Sequence, residues 1–195
     1  MSDRDSDWMA AQVADHVAVG LALGPLLPAV RAVADVLCAA FEAGGRLYTF
    51  GNGGSAADAQ HFCGEVIGHY RRDRRPLPAM TLSTDTTVIT CIANDYSFDT
   101  VFARQVEALA GPADVVAAFS TSGRSPNIVA GLKAARTTGS TTVLFGGGNG
   151  GPARQWADHL LLSPSTQTPR IQEAHTLMLH LISEQIDAWA AGEPK

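Results

Sequence analysis

The chain has 195 residues, the size of one ordinary domain and enough to bury a core without disulfide or metal staples. Hydrophobic residues make up 46% and charged residues 17%, which excludes a disordered polymer. A formal net charge of −5 is a poor starting point for a nucleic-acid binder, but local amides and hydroxyls can still hold a small anion.

Residues 8–42 are rich in Ala, Val and Leu and are interrupted at Gly24-Pro25 and Pro28, which predicts two helices with a break between them. Gly44-Gly45 stops the second. Short β-prone runs follow at Arg46–Phe50, Ala79–Ser83, Val115–Phe119, Thr141–Phe145 and His159–Leu162. Helix-compatible segments separate most of them, at about 55–69, 98–110, 126–138 and 152–157, and a last helix covers about 170–190. This alternation indicates βαβ units around a parallel sheet in one domain spanning 1–195, with 1–42 as a helical segment packed on it. The polar N-terminus has no signal-like run, and no 18 apolar residues run free of Gly, Pro or charge, so neither a leader nor a membrane span is expected. Three scattered cysteines, Cys38, Cys63 and Cys91, point to a reducing, cytoplasmic setting without disulfides.

Four of the five strand-like runs lead straight into small or hydroxyl residues: Gly51–Ser55, Ser83–Thr87, Ser120–Ser125 and Gly146–Gly151. Ligands of open α/β sheets sit beyond the carboxyl ends of the strands. Gly51-Asn-Gly-Gly-Ser-Ala56 passes the loose dinucleotide fingerprint, but the acidic residue expected about 20 residues on is replaced by the basic stretch Arg71–Arg75. That stretch reads most simply as solvated surface. The glycine run reads as a tight turn opening a helix, with Asn52 and Ser55 able to meet polar groups. Ser120-Thr-Ser-Gly-Arg-Ser125 precedes Pro126, which suits the first helical position and makes Ser125 the expected N-cap. Hydroxyls beside unpaired helix amides make a phosphate cradle, and the absence of a Gly-Lys-Ser/Thr ending argues against a nucleotide triphosphate. A capped turn with spare hydroxyls is the plainer alternative. His61 and Glu65 share a helix face at metal-ligand or acid/base spacing. Gln172, Glu173, His175 and His180 lie on the last helix, where His180 among Leu179, Leu181 and Ile182 reads as a core histidine.

Taken together, these residues resemble the phosphoheptose isomerases of the sugar isomerase (SIS) domain superfamily. The match rests on Gly51–Phe62 with Glu65, Ala93–Tyr96, Phe102–Glu107, Ser120–Gly123 with Ser125, and Thr168–His175 with His180. The resemblance implies a three-layer α/β sandwich with a five-stranded parallel sheet of SIS, flavodoxin-like type, working as a cytoplasmic homotetramer. It implies interconversion of sedoheptulose 7-phosphate and D-glycero-D-manno-heptose 7-phosphate, early on the way to activated heptoses. It implies one zinc ion on His61, Glu65, Gln172 and His180. It places substrate contacts at Asn52, Gly53, Gly54, Ser55, Glu65, Asn94, Asp95, Ser120, Thr121, Ser122, Ser125 and Gln172, and the acid/base pair at Glu65 and His180. The sequence departs from the pattern at His69, at Arg124 and in the 146–151 glycine loop, which leaves the exact sugar open. The alternative is a non-catalytic SIS protein that binds a replication initiator or another partner, with Arg71–Arg75 as its surface. Neither a nucleic acid nor a membrane is an expected partner.

Overall fold

Five strands, β1 (Leu47–Gly51), β2 (Ala79–Thr81), β3 (Val115–Ser120), β4 (Thr141–Gly147) and β5 (His159–Ser163), pair in parallel in the order β2-β1-β3-β4-β5. The computed structural model describes residues 3–192; positions 1–2 and 193–195 of the expected domain lie outside the described residues. β1 and β3 are buried throughout, and β4 from its second residue on. Their near-continuous apolar runs suit a sheet covered on both faces. Alternate residues feed two cores. Leu47, Ala117, Phe119, Val143, Phe145 and Leu161 pack under α2 (Leu27–Glu42), α3 (Gly54–Ile67) and α7 (Thr168–Ala190). Tyr48, Phe50, Val116, Ala118 and Leu144 pack under α4 (Thr86–Asp95), α5 (Val101–Leu109) and α6 (Pro126–Thr137). This is the three-layer α/β sandwich that the family resemblance implies, built on the parallel sheet that the alternation of strands and helices predicts.

The N-terminal segment forms α1 (Asp3–Leu21), a 3-10 turn at Gly24–Leu26 and α2. Val30, Val33, Ala34, Leu37, Cys38 and Phe41 bury one stripe of α2. The helix ends in a Schellman arrangement: Gly44 N donates to Phe41 O and Gly45 N to Ala40 O, with Gly44 at φ +79°. By length and composition alone, an 18-residue window in the run Asp7–Glu42 is apolar enough to cross a membrane, and 22% of it is buried. The proline-bearing break divides that run, and α2 buries its stripe on the sheet. α1 crosses α7, where His16 pairs with Glu173 at 2.8 Å, but Met9, Val13, Val17 and Leu21 form an exposed stripe at four-residue spacing.

Some expectations need correction. The run Ser83–Thr87 is expected as a loop and no helix is expected before residue 98, yet Thr86–Asp95 forms α4. The β-branched run Thr86-Thr-Val-Ile-Thr90 masks its helical character, and the helix is started by Asp85, whose carboxylate accepts from Val88 N at 3.0 Å. The segment 152–157 is a 3-10 stretch, Gly151–Trp156, rather than an α-helix.

The basic stretch Arg71–Arg75 is also not uniformly solvated. The Arg74 side chain is 1% exposed and its Nε donates to Asp187 Oδ1 at 2.9 Å. The same guanidinium donates to the carbonyls of Glu65 and Val66, at the end of α3, and of Gly68 just beyond it. Asp187 Oδ2 accepts the backbone N–H groups of Tyr70, Arg71 and Arg72 at 3.0, 2.6 and 2.9 Å. Burial pushes the Asp187 carboxyl up, but those amides and the Arg74 guanidinium outweigh it and hold it below the usual carboxylate range.

Asp187→Asn leaves Arg74 without its charged partner. Removing one member of a buried pair costs about 3–5 kcal/mol, read by urea unfolding at fixed protein concentration and pH 7. Because the native carboxyl lies below its unfolded value, its contribution is complete above the usual carboxylate range and is lost as pH falls through the native value. The gap between variant and wild type should therefore close in acid. A variant as stable as wild type at pH 7 would show that apolar contacts hold the loop.

Candidate active site

In this strand order the chain reverses direction of assembly between β1 and β3, and the crevice at such a switch point is where open sheets bind ligands. The loops after β1 and β3 flank it. Asn52 in the first loop and Asn127 in the first turn of α6, just past the second, form a reciprocal amide pair, each Nδ2 donating to the other's Oδ1 at 2.9 Å. Gly51 is tied to the loop after β2: its N–H donates to Ser83 Oγ at 3.2 Å and its carbonyl accepts from that hydroxyl at 3.1 Å.

Gly53, at φ +55°, turns the chain into α3. The amides of Ser55 and Ala56 are taken by the carbonyls of Asn52 and Gly53 within this turn. Gly54 has a packing reason: a Cβ there would lie 2.4 Å from Gln172 Nε2. The Gln172 amide, from the first turns of α7, thus lies against the loop at which the sequence placed substrate contacts.

The β3 loop is a hydroxyl nest. Ser120 Oγ accepts from Gly123 N at 3.1 Å, and Ser122 Oγ accepts from Arg124 N at 3.2 Å, so each hydroxyl keeps its own hydrogen to donate. Ser125 is the N-cap of α6 with Pro126 beside it, as expected, but its side chain makes no cap hydrogen bond. Gly123, at φ +60°, packs backbone to backbone on the glycine loop, where a Cβ would lie 1.9 Å from Gly150 O. A cavity of about 420 Å³ borders this loop, lined by Thr121, Ser122, Arg124, Asn149, Thr166 and Thr168. Asn94 and Asp95 stand at the exposed end of α4, where Asn94 Nδ2 donates to Asp95 Oδ1 at 2.7 Å.

One to two turns further along α3, His61 Nε2 lies 2.9 Å from Glu65 Oε1 and 3.3 Å from His180 Nε2 on α7. Donor atoms of these three residues all lie within 4.8 Å of one another. Two nitrogens about 2.1 Å from a tetrahedral zinc stand about 3.4 Å apart, so the imidazole pair has the spacing of two ligands of one ion. His180 is half-buried and faces His61, not the core. Burial pushes its imidazole below the ordinary histidine range; His61 pushes the same way, Glu65 opposes, and Arg71 adds to the lowering. The neutral imidazole so favoured is the form that binds a metal.

Sequence reasoning missed what surrounds His180. The Tyr70 ring stacks on it at 5.0 Å and 20° between planes, and the Arg71 guanidinium lies over that Tyr70 ring at 5.2 Å. Both belong to the loop that Asp187 clamps. The only signal was the spacing of Asp187 seven residues after His180, too common a pattern to single out. Cys63, on the inner face of α3 against Thr49 Oγ1 at 3.2 Å, is no nucleophile: burial pushes its thiol up to about 11.

The SIS domain family pattern matches residues 26–147. The phosphoheptose isomerase of Citrifermentans bemidjiense is 46% identical over 178 residues, covering 91% of this chain and 93% of that protein. That of Aquifex aeolicus is 47% identical over 155 residues, covering 80% and 81%. The solved phosphoheptose isomerase of Neisseria gonorrhoeae superposes with a TM-score of 0.89 at 36% identity, covering 94% of this chain and 98% of that one.

The amide pair gives a test of the crevice. Asn52→Ala or Asn127→Ala leaves one amide unpartnered, and each should cost about 1–3 kcal/mol in unfolding free energy. The double variant should cost less than the two single losses together, since both remove one interaction. Additive losses would mean that the pair does not couple the loops.

Proposed function

The chain belongs to the phosphoheptose isomerases of the SIS domain family, and from that premise we propose that it interconverts sedoheptulose 7-phosphate and D-glycero-D-manno-heptose 7-phosphate through an enediol. The observation that carries this is the joining of Glu65, His61 and His180 across α3 and α7.

In this reading Ser120, Thr121, Ser122 and Ser125 donate hydrogen bonds to the phosphate, and Asn52, Gly53, Gly54, Ser55, Asn94, Asp95 and Gln172 hold the sugar. That anchorage fixes the reacting carbons against α3. The Glu65 carboxylate takes a proton from C1 of the ketose. The neutral His180 imidazole takes the hydroxyl proton from the oxygen at C1 and gives it to the oxygen at C2, and Glu65 returns its proton to C2, leaving the aldose. A zinc ion, which His61, Glu65, Gln172 and His180 would hold, would stabilise negative charge on the sugar oxygens. Tyr70, stacked on His180, keeps the imidazole turned toward His61 and Glu65.

We further propose that the protein is a cytoplasmic homotetramer made of one SIS domain per chain. The exposed apolar stripe of α1, with Leu177 and Leu181 exposed on α7, is the surface this assembly would cover. The free cysteines agree with a reducing compartment. The relatives' names do not favour the non-catalytic alternative.

Product analysis after incubation with sedoheptulose 7-phosphate tests the activity. Positioned acid/base groups contribute about 10²–10⁴-fold, so Glu65→Gln and His180→Gln should each lose at least that lower factor in kcat. Metal content is measured alongside. A folded, metal-replete Glu65→Gln enzyme at the wild-type rate would sink the assignment.

Ser122→Ala and Ser125→Ala should act differently. Each removes a charge-assisted bond of about 1.5–3 kcal/mol made in ground and transition states alike, so KM rises more than kcat falls. Unchanged KM in both would move the phosphate elsewhere.

A further inference from the structure

Two polar atoms buried in the core between α3 and α7 have no hydrogen-bond partner among the described residues: Asp58 Oδ2 and His175 Nδ1. They are 3.8 Å apart. His175 is fully buried, and Asp58 nearly so. On the other side of the imidazole, Nε2 lies 3.0 Å from the carbonyl oxygen of Gly146, near the end of β4. A carbonyl oxygen only accepts, so Nε2 carries a hydrogen. Were Nδ1 then bare, it and a carboxylate oxygen would be two buried acceptors 3.8 Å apart with little water to serve either. A hydrogen on Nδ1 turns the approach into an ion pair.

We propose that this hydrogen sits on Nδ1, so that His175 is an imidazolium held between the Asp58 carboxylate and the Gly146 carbonyl, and that this bridge is a positioning device for the active site. The pair is neutral as a whole, which keeps the burial of its two charges tolerable. The other Asp58 oxygen accepts from Thr176 Oγ1 at 3.4 Å. The Phe119 and Phe145 rings close edge-on around the imidazole at 5.8 and 6.0 Å.

The position gives the bridge its role. Asp58 stands midway between Ser55 and His61 on α3, and His175 stands between Gln172 and His180 on α7. Gly146 opens the glycine loop that packs on Gly123 of the hydroxyl loop. One contact therefore fixes α3, α7 and the end of β4 at the level between the proposed phosphate and metal ends. Asp58 and His175 touch neither and act through the residues that they align.

The test has two arms. In the full-length protein with 15N-labelled histidine, the His175 ring signals are those lost in His175→Gln. At pH 7 both ring nitrogens should carry a directly bonded hydrogen; an Nδ1 that resonates as a bare nitrogen overturns the bridge. This arm is independent of the enzyme's activity. The kinetic arm rests on the isomerase reading. Supporting groups behind metal ligands are worth about 10–100-fold in activity, so Asp58→Ala, measured on folded protein of wild-type oligomeric state, should lose that much kcat with little change in KM. Asp58→Asn, whose amide can donate to a neutral Nδ1, should recover most of it. Wild-type kcat in Asp58→Ala would reduce the pair to a stabilising contact. If the wild-type protein does not turn over sedoheptulose 7-phosphate, the isomerase reading fails while the nitrogen signals still decide the bridge.

Discussion

The register of α3 against α7 is the constraint on which the site depends. His61 and Glu65 lie on one helix, and Gln172 and His180 on the other. A slide of one residue along either axis, about 1.5 Å, would separate His61 Nε2 from His180 Nε2, now 3.3 Å apart. Apolar packing of Phe62, Val66, Met178, Leu179 and Ile182 brings the two helices together, but apolar contact is not directional and does not by itself choose a register. Polar ties do. Asp187 and Arg74 fix one end, joining α7 to the last carbonyls of α3, and Asp58 approaches His175 at the other.

The same clamp reaches the chemistry through the chain that it orders. Asp187 takes three successive backbone N–H groups, which leaves the 70–72 turn little freedom, and that turn carries the ring stacked on His180. A carboxylate seven residues from the imidazole thereby decides which way the imidazole is supported. Burial alone would discourage a charge at that place; three amides and a guanidinium more than offset it.

At the other end, the switch point separates two segments that a side-chain amide pair then holds close. The Asn52–Asn127 pair spans the crevice, and glycine permits the approaches. Gly54 makes room for the Gln172 amide, and Gly123 lets one loop backbone rest on another. Ser125 occupies the cap position without using its hydroxyl for the cap, which costs the helix start some stability and leaves a donor free for an anion.

Much of this was legible in the residues. The five strand runs announce themselves because β1, β3 and β4 are buried on both faces and so must be continuously apolar. The glycine and serine loops stand where such strands end, and His61 and Glu65 declare a shared helix face by spacing four. Resemblance then joined Gln172 and His180 to them. What the sequence hid was decided by distant contacts. α4 is written in β-branched residues whose propensity opposes the helix that its cap and its packing impose. His180, flanked by apolar neighbours, reads as core, and only the approach of α3 turns it toward His61. Arg74 reads as one charge in a basic surface run, yet Asp187, 113 residues away, draws it inside. Local pattern records which face of an element is apolar; it carries no record of which distant charge will meet that face, because that partner is chosen by the packing of whole helices.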